Sequence, residues 1–234
     1  QKEIEKIKSD VTKIKKELDE LKNKTDEKKN KLNQILLEIP NLVDDKVPVG
    51  KSEIDNITIK EVGKINKPDF KIKNHVEILE NNNFLDYNKA SKLSGSRFSV
   101  LRSSLATLHR ALVNFMIDIN VTEFQYEECI VPELVKSDCL TGTGQLPKFD
   151  EDLFRTNFND LWLIPTAEVP LSNFHRDEII NSTILPLRYT SFTNCFRSEA
   201  GAAGKDTKGL MREHQFGKVE LVSITEPNNS MVEM

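Results

Sequence analysis

Two arginines, a phenylalanine and several carboxylates recur at regular intervals within one short part of this chain. Phe196-Arg197-Ser198-Glu199 is followed by a glycine-rich connection and then by Gly209-Leu210-Met211-Arg212-Glu213-His214-Gln215-Phe216-Gly217-Lys218-Val219-Glu220. Both segments read as β-strands, in which alternate side chains point to opposite faces. That period puts Arg197 and Glu199 on one face of the first strand. It also puts Arg212, Phe216 and Glu220 on one face of the second. If the strands pair, one surface presents cations for phosphate, a ring for a base and acids for an amine. Such a surface suits a nucleotide together with a small zwitterion. An ordinary hairpin with a solvated polar face has the same spacing, and the pattern alone does not separate the two. The connection from Gly201 to Gly209 is too long for a tight turn. Loops of that length in compact domains are more often lids or binding loops than idle links.

A second group precedes the hairpin. A short strand at Leu161–Ile164 leads into Pro165-Thr166-Ala167-Glu168, where Pro165 suits a helix start. Thr166 and Glu168 are then a cap and a carboxylate favoured by the helix dipole, or ligands, or both.

These residues need elements to hold them. Residues 2–39 carry Ile4, Ile7, Val11, Ile14, Leu18 and Leu21 at 3-4 spacing, a break at Thr25 and Lys28, and then Leu32, Ile35 and Ile39. That is a coiled-coil seam, narrower than the apolar stripe of a globular helix. The helix would reach roughly 50–60 Å before Pro40 stops it. A lone seam buries nothing, so its partner is another chain or a further segment of a longer one. Its lysines read as an RNA-facing arm or as a solvated surface, and the near balance of acids favours the latter on charge alone. Residues 41–74 hold Pro48, Gly50, Gly63 and Pro68 around a β-like run at Ile57–Val62, a linker into the globular part. Short helices are expected over 75–95, ending at Gly95. A strand is expected at Arg97–Leu101, then a helix capped by Ser103 and running to about Asn120, then a strand over Gln125–Val131. The long strands fall near Leu187–Phe196 and Gln215–Ile224. Strands joined by long loops, with helices to one side, give a mostly antiparallel α+β domain.

The bulk properties narrow the classes. The 234 residues make one large domain or two small ones. A formal charge of −4 supplies no bulk basic field, so nucleic acid would have to bind a local patch. Cys129, Cys139 and Cys195 are widely spaced and form no Cys-x-x-Cys pair, which gives structural zinc little support. Reduced thiols, no secretory signal and no bilayer-length apolar run lead to the expectation of a cytoplasmic protein without membrane contact. Both ends look cut, so the chain reads as a piece of something longer.

Several further segments carry a likeness. Ile39-Pro40-Asn41-Leu42, Val47-Pro48-Val49-Gly50, Gly95-Ser96-Arg97-Phe98, Gly142-Thr143-Gly144-Gln145-Leu146-Pro147-Lys148-Phe149 and Leu163-Ile164-Pro165-Thr166-Ala167-Glu168-Val169-Pro170 stand in order with the hairpin. Together they resemble the seryl-tRNA synthetases of class II, over essentially the whole length, with the hairpin similar to that family's motif 2. The resemblance implies an α+β fold: part of the class II antiparallel sheet flanked by helices, preceded by one long helix of an N-terminal coiled-coil arm. It divides the chain into residues 1–40 as the second helix of a tRNA-binding arm, 41–95 as linker, and 96–234 as the first part of a catalytic domain. Motif 1, the dimer-forming segment, would be 97–132, and motif 3 would lie beyond Met234. Gln125-Tyr126 departs from the family's Gly-Tyr at the turn before the motif 1 strand.

The activity implied is ATP-dependent activation of serine and its transfer to tRNA(Ser), by a homodimer. Rivals are a related class II ligase for another amino acid or carrier, and a non-catalytic homologue that binds RNA or dimerises. By the resemblance, Arg197 is the catalytic cation between the serine carboxylate and the α-phosphate. Glu199 accepts from the adenine amino group, Phe216 stacks on the ring, and Arg212 holds the outer phosphates. Ser198 and Glu213 line the ATP site. Thr166, Ala167 and Glu168 form the serine-binding motif, joined by Glu220. Mg²⁺ comes with ATP, and no metal ligand is assigned. His109, His175 and His214 are given no role as base, because the attacking carboxylate is already an anion.

Overall fold

The computed structural model describes residues 2–200 and 210–234, so the expected loop from Gly201 to Gly209 lies outside the described residues. The chain divides into two compact units, Gln1–Ile65 and Asn66–Met234.

The first unit is one helix, α1 (Lys2–Glu38), and an extended tail. Its expected seam is present, and Ile7 and Leu18 are 58% and 61% exposed, so the described residues leave the seam uncovered. In the tail the one 3-10 helix among the described residues is Glu53–Asp55, capped reciprocally by Ser52 and Asp55. The β-like run at Ile57–Val62 forms no strand. Among the described residues its backbone finds no hydrogen-bond partner.

In the second unit, α2 (His75–Asn81) begins with a capping box between Asn74 and Glu77. Helix α3 (Tyr87–Ser94) is capped by Asp86, which accepts from the Lys89 N–H, and it ends at Gly95, whose φ of 92° favours glycine. Helix α4 (Ser103–Thr122) starts one residue after the N-cap Arg102, so Ser103 is its first residue and not its cap. The strand expected at Arg97–Leu101 reduces to a bridge between Leu101 and Leu85, because Arg97 takes a left-handed φ of 62° that a strand cannot accommodate. The strand expected at Gln125–Val131 shrinks to β1 (Glu127–Glu128) for a similar reason, Gln125 having φ 59°.

Beyond these lie β2 (Leu134–Lys136), α5 (Ser137–Gly142), β3 (Leu161–Leu163), α6 (Glu168–Ser172), β4 (Leu187–Phe196), β5 (Gln215–Ile224) and α7 (Ser230–Glu233). Strands β4 and β5 pair antiparallel over their full length, from Leu187 opposite Ile224 to Phe196 opposite Gln215. Strand β1 adds a short parallel edge to β4, which makes this sheet mixed, and β2 pairs antiparallel with β3 in a separate ribbon.

Directly opposed residues share a face. One face of β4–β5 therefore carries Tyr189, Ser191, Thr193 and Cys195 with Phe216, Lys218, Glu220 and Val222. Its lower half packs on Val131 and on Ala167 and Leu171 around α6. The other face carries Thr190, Phe192 and Asn194 and lies against α4. There Asn120 donates to Thr190 Oγ1 at 3.0 Å, and the His109 and Phe192 rings meet edge to face. A second small core of Val135, Leu140, Leu153, Trp162, Ile164 and Val169 joins the β2–β3 ribbon to α5 and α6. Among the described residues no helix is long and apolar enough to cross a membrane.

Candidate functional site

The upper half of the α6-side face is polar, and the chain places its charged residues there. Phe216, Lys218 and Glu220 follow one another at strand period along β5. Glu220 Oε2 accepts from Thr166 Oγ1 at 2.6 Å and is in close ionic contact with Lys218. Thr166 Oγ1 in turn accepts from the Glu168 N–H at 3.2 Å. One hydroxyl thus closes the turn into α6 and reaches the sheet. The backbone of Glu220 is fixed from behind, since Thr190 Oγ1 donates to its carbonyl at 2.8 Å.

Arg197, Glu199 and Arg212 lie beyond the ends of the paired strands. Their convergence comes from turns and not from strand alternation. Arg197 Nε donates to the Pro165 carbonyl at 3.2 Å, and its guanidinium lies 5.2 Å from the centre of the Phe216 ring. A cation over a ring face is attracted by the ring quadrupole. Arg212 Nη1 donates to Glu199 Oε2 at 2.8 Å, with the Glu199 side chain 16% exposed.

These three residues wall a cavity of about 340 Å³ together with Pro165 and Thr166. Gln145, Phe149, Asp152 and Leu153 complete the lining among the described residues. Size and lining suit a small polar ligand, because convergent charged groups over a partly apolar wall can fix an orientation. Gln145 and Phe149 belong to the turn-rich loop that shares in the family likeness without an assigned role. Asp152 stands in no recognisable pattern, since it ends a single 3-10 turn, Asp150–Asp152, too short to show a period.

Not every expected residue joins this cavity. The Phe216 ring lies under Arg197 and does not line the cavity wall. Ala167 is fully buried among Val131, Leu171 and Tyr189. Glu168 is exposed at the start of α6 and presents its backbone, not its carboxylate, to Thr166. Ser198 turns away and donates its hydroxyl to the Glu151 carbonyl. Glu213 lies on the other side of the hairpin, in a second cavity of about 370 Å³ beside α4 with His109, Ser99 and Gly217. Its Oε1 has no hydrogen-bond partner among the described residues, and burial pushes its carboxyl above the usual range against a smaller opposing effect of Ser99.

Cys195 sits fully buried beneath the site, and burial raises its thiol, which suits a packing role better than a nucleophile. His214 is tied to the backbone, with Nδ1 at 3.0 Å from the Arg197 carbonyl.

The chain is similar to several known proteins. Residues 148–234 match the family model of the tRNA synthetase class II core domain for glycine, histidine, proline, serine and threonine. The chain is 51% identical over 201 residues to a serine–tRNA ligase of Caldicellulosiruptor bescii, covering 86% of this chain and 48% of that protein. It is 49% identical over 229 residues to one of Campylobacter concisus, covering 98% and 55%. Among solved structures, it resembles seryl-tRNA synthetase from Pyrococcus horikoshii complexed with ATP, with a TM-score of 0.84, 37% identity and coverage of 91% and 52%. The chain spans about half the length of the curated relatives it matches.

Sheet, hairpin and core-domain match together make the chain similar to the class II aminoacyl-tRNA synthetases. Within that class its relatives are the seryl-tRNA synthetases.

Proposed function

We propose that this chain carries the nucleotide- and serine-binding part of a serine–tRNA ligase. The observation that carries the reading is the meeting of Arg197, Glu199, Arg212 and Thr166 around one cavity, with Glu220 hydrogen-bonded to Thr166. The relatives named above supply the substrates: ATP, serine and tRNA.

In the first step the serine carboxylate attacks the α-phosphorus of ATP, a phosphorus–oxygen bond forms, and pyrophosphate leaves with the electrons of the broken bond. Two anions must approach, so a fixed cation between them lowers the barrier most. Arg197 fits that task. Its Nε is committed to Pro165, which leaves the terminal nitrogens for ligand oxygens. Arg212 would hold the outer phosphates on leaving Glu199, and Glu199 would accept from the adenine amino group. Adenine would stack on Phe216 by sharing or displacing the Arg197 contact. Thr166 and Glu220 would bind the serine ammonium and hydroxyl, with Ala167 and Glu168 shaping the pocket through backbone. Ser198 and Glu213 would act through the hairpin backbone. Mg²⁺ would arrive on the ATP phosphates, and no residue of the chain is assigned to it.

The second step would pass the seryl group to the 3′ end of tRNA(Ser), gripped by α1 as one helix of a coiled-coil arm over 1–40. Residues 41–95 would link the arm to the catalytic part over 96–234, and 97–132 would join two copies in the cytoplasm. Support for a dimer face is that Leu108, Leu112 and Phe115 of α4 are 48–60% exposed.

The test is serine-dependent pyrophosphate exchange by the intact protein, with threonine, alanine and glycine as alternatives. Preference for serine is expected. A site built to bond a hydroxyl rejects the analogue without it by roughly 10⁴–10⁵. Preference for another amino acid would point to a related ligase, and no exchange at all to a non-catalytic homologue.

A further inference from the structure

The backbone at Glu199 has φ 52°, a left-handed conformation that a residue with a Cβ keeps only when its surroundings hold it. The holding contacts come from outside the hairpin. Arg97 Nη1 donates to the Glu199 carbonyl at 2.9 Å. Asp152 grips both neighbours: its carbonyl accepts from the Ser198 N–H at 2.9 Å, and its Oδ1 accepts from the Ala200 N–H at 3.1 Å. The carbonyl of Arg97 also accepts from the His214 N–H at 2.9 Å. Arg97 therefore holds both legs of the hairpin just past the paired strands, at its loop end, one through its guanidinium and the other through its backbone. Strand β4 stops at Phe196, so strand alternation does not aim the Glu199 side chain. The clamped turn aims it, onto Arg212 and the cavity wall.

We propose that Arg97 and Asp152 are positioning residues for nucleotide selection, locking the Glu199 backbone so that its carboxylate meets the base at one fixed place. This rests on the proposed role of Glu199 as acceptor from an adenine amino group. A fixed acceptor rejects a base that presents a carbonyl there, because two acceptors would face each other without a proton between them. A carboxylate on an unclamped turn can step aside and admit that base. Loss of the clamp therefore shows first as lost discrimination, before lost chemistry.

The test compares ATP with GTP in serine-dependent pyrophosphate exchange by the intact protein. In Arg97→Met and Asp152→Ala the ratio of kcat/KM for ATP over GTP should fall by about tenfold or more, the worth of one hydrogen bond to a charged group. The KM for serine should stay within about twofold. Asp152→Asn keeps an Oδ1 acceptor and should keep the ratio, and Arg97→Lys keeps a donor and should recover part of it. Equal losses for both nucleotides, an unchanged ratio, or Asp152→Asn as damaging as Asp152→Ala would overturn the clamp. If Asp152→Ala fails to fold by near-ultraviolet circular dichroism, the Arg97 pair decides alone. A parent protein that exchanges nothing with serine would defeat the underlying reading instead, so the two failures are distinct.

Discussion

Thr166 and Glu220 are 54 positions apart, yet Thr166 Oγ1 donates to Glu220 Oε2 at 2.6 Å. The bond ties the turn before α6 to the middle of β5, and it sets a neutral hydroxyl against a carboxylate already in contact with Lys218. On the proposed reading, a ligand ammonium arriving there would meet an oriented acceptor. Thr166→Val keeps the volume and removes the bond. It should reduce kcat/KM for serine in pyrophosphate exchange by about 10- to 100-fold, the range for a hydrogen bond to a charged group, while Thr166→Ser should retain most activity. Equal activity of the Val and Ser variants would remove the hydroxyl from the site.

Arg197 is held by a single nitrogen to Pro165 and by the ring of Phe216. Its charge counts most where negative charge gathers between two reacting anions, so Arg197→Ala should lower kcat by about 10²–10³ with a smaller change in the KM for serine. Arg197→Lys should recover little, because an ammonium offers neither the paired donors nor the flat face over Phe216. Steady-state exchange kinetics check this. A change confined to KM would count against a transition-state role.

Glu213 gives a stability prediction that does not depend on catalysis. Burial raises its carboxyl in the folded chain, and Oε1 has no partner among the described residues. For a carboxyl raised on folding, the favourable contribution is complete below the unfolded value of about 4.3 and is lost as pH rises through the higher folded value. At neutral pH the group is a cost. Glu213→Gln should therefore raise the urea midpoint at pH 7, and the gain should shrink towards pH 4. Midpoints at pH 4, 5.5 and 7 measure it, and a gain independent of pH would show that the charge is not the cause.

The bounds of β4 and β5 were legible because ten-residue strands with one buried face impose a clear period, and the seam of α1 was legible for the same reason. Arg197, Glu199 and Arg212 were placed together by that period, yet they lie past the strand ends. Their convergence depends on a bond to Pro165 and a left-handed φ, neither of which leaves a mark in residue spacing. Asp152 and Gln145 were missed because the loop that brings them has no repeat.

Gln125 is a place where the departure from the family was itself informative. It holds φ 59° where the family has glycine, and the next residue, Tyr126, reaches Ser223 Oγ at 2.8 Å across the sheet. A left-handed residue with a Cβ costs roughly 1–2 kcal/mol, partly offset by the greater unfolded freedom of glycine. Gln125→Gly should therefore stabilise the fold by about 0.5–1 kcal/mol, read as a rise in the thermal midpoint. A fall would mean that the Gln125 side chain makes a contribution the backbone angle does not show.

The arm allows the two proposed steps to be separated. Helix α1 has 37 residues and so is about 55 Å long, with its apolar seam more than half exposed and lysines and acids sharing the other faces. Among the described residues, those that line the cavity all belong to the other unit, from Gln145 to Arg212. Deleting residues 1–38 from the intact protein should leave serine-dependent pyrophosphate exchange within about twofold and abolish charging of tRNA. With the arm present, charging at low tRNA should weaken steeply with salt, because contacts to RNA phosphates release bound counterions and shape is read mostly through the backbone. Exchange uses no RNA and should hardly respond. If the deletion leaves charging intact, the RNA contact lies elsewhere, and the seam serves only to hold another helix.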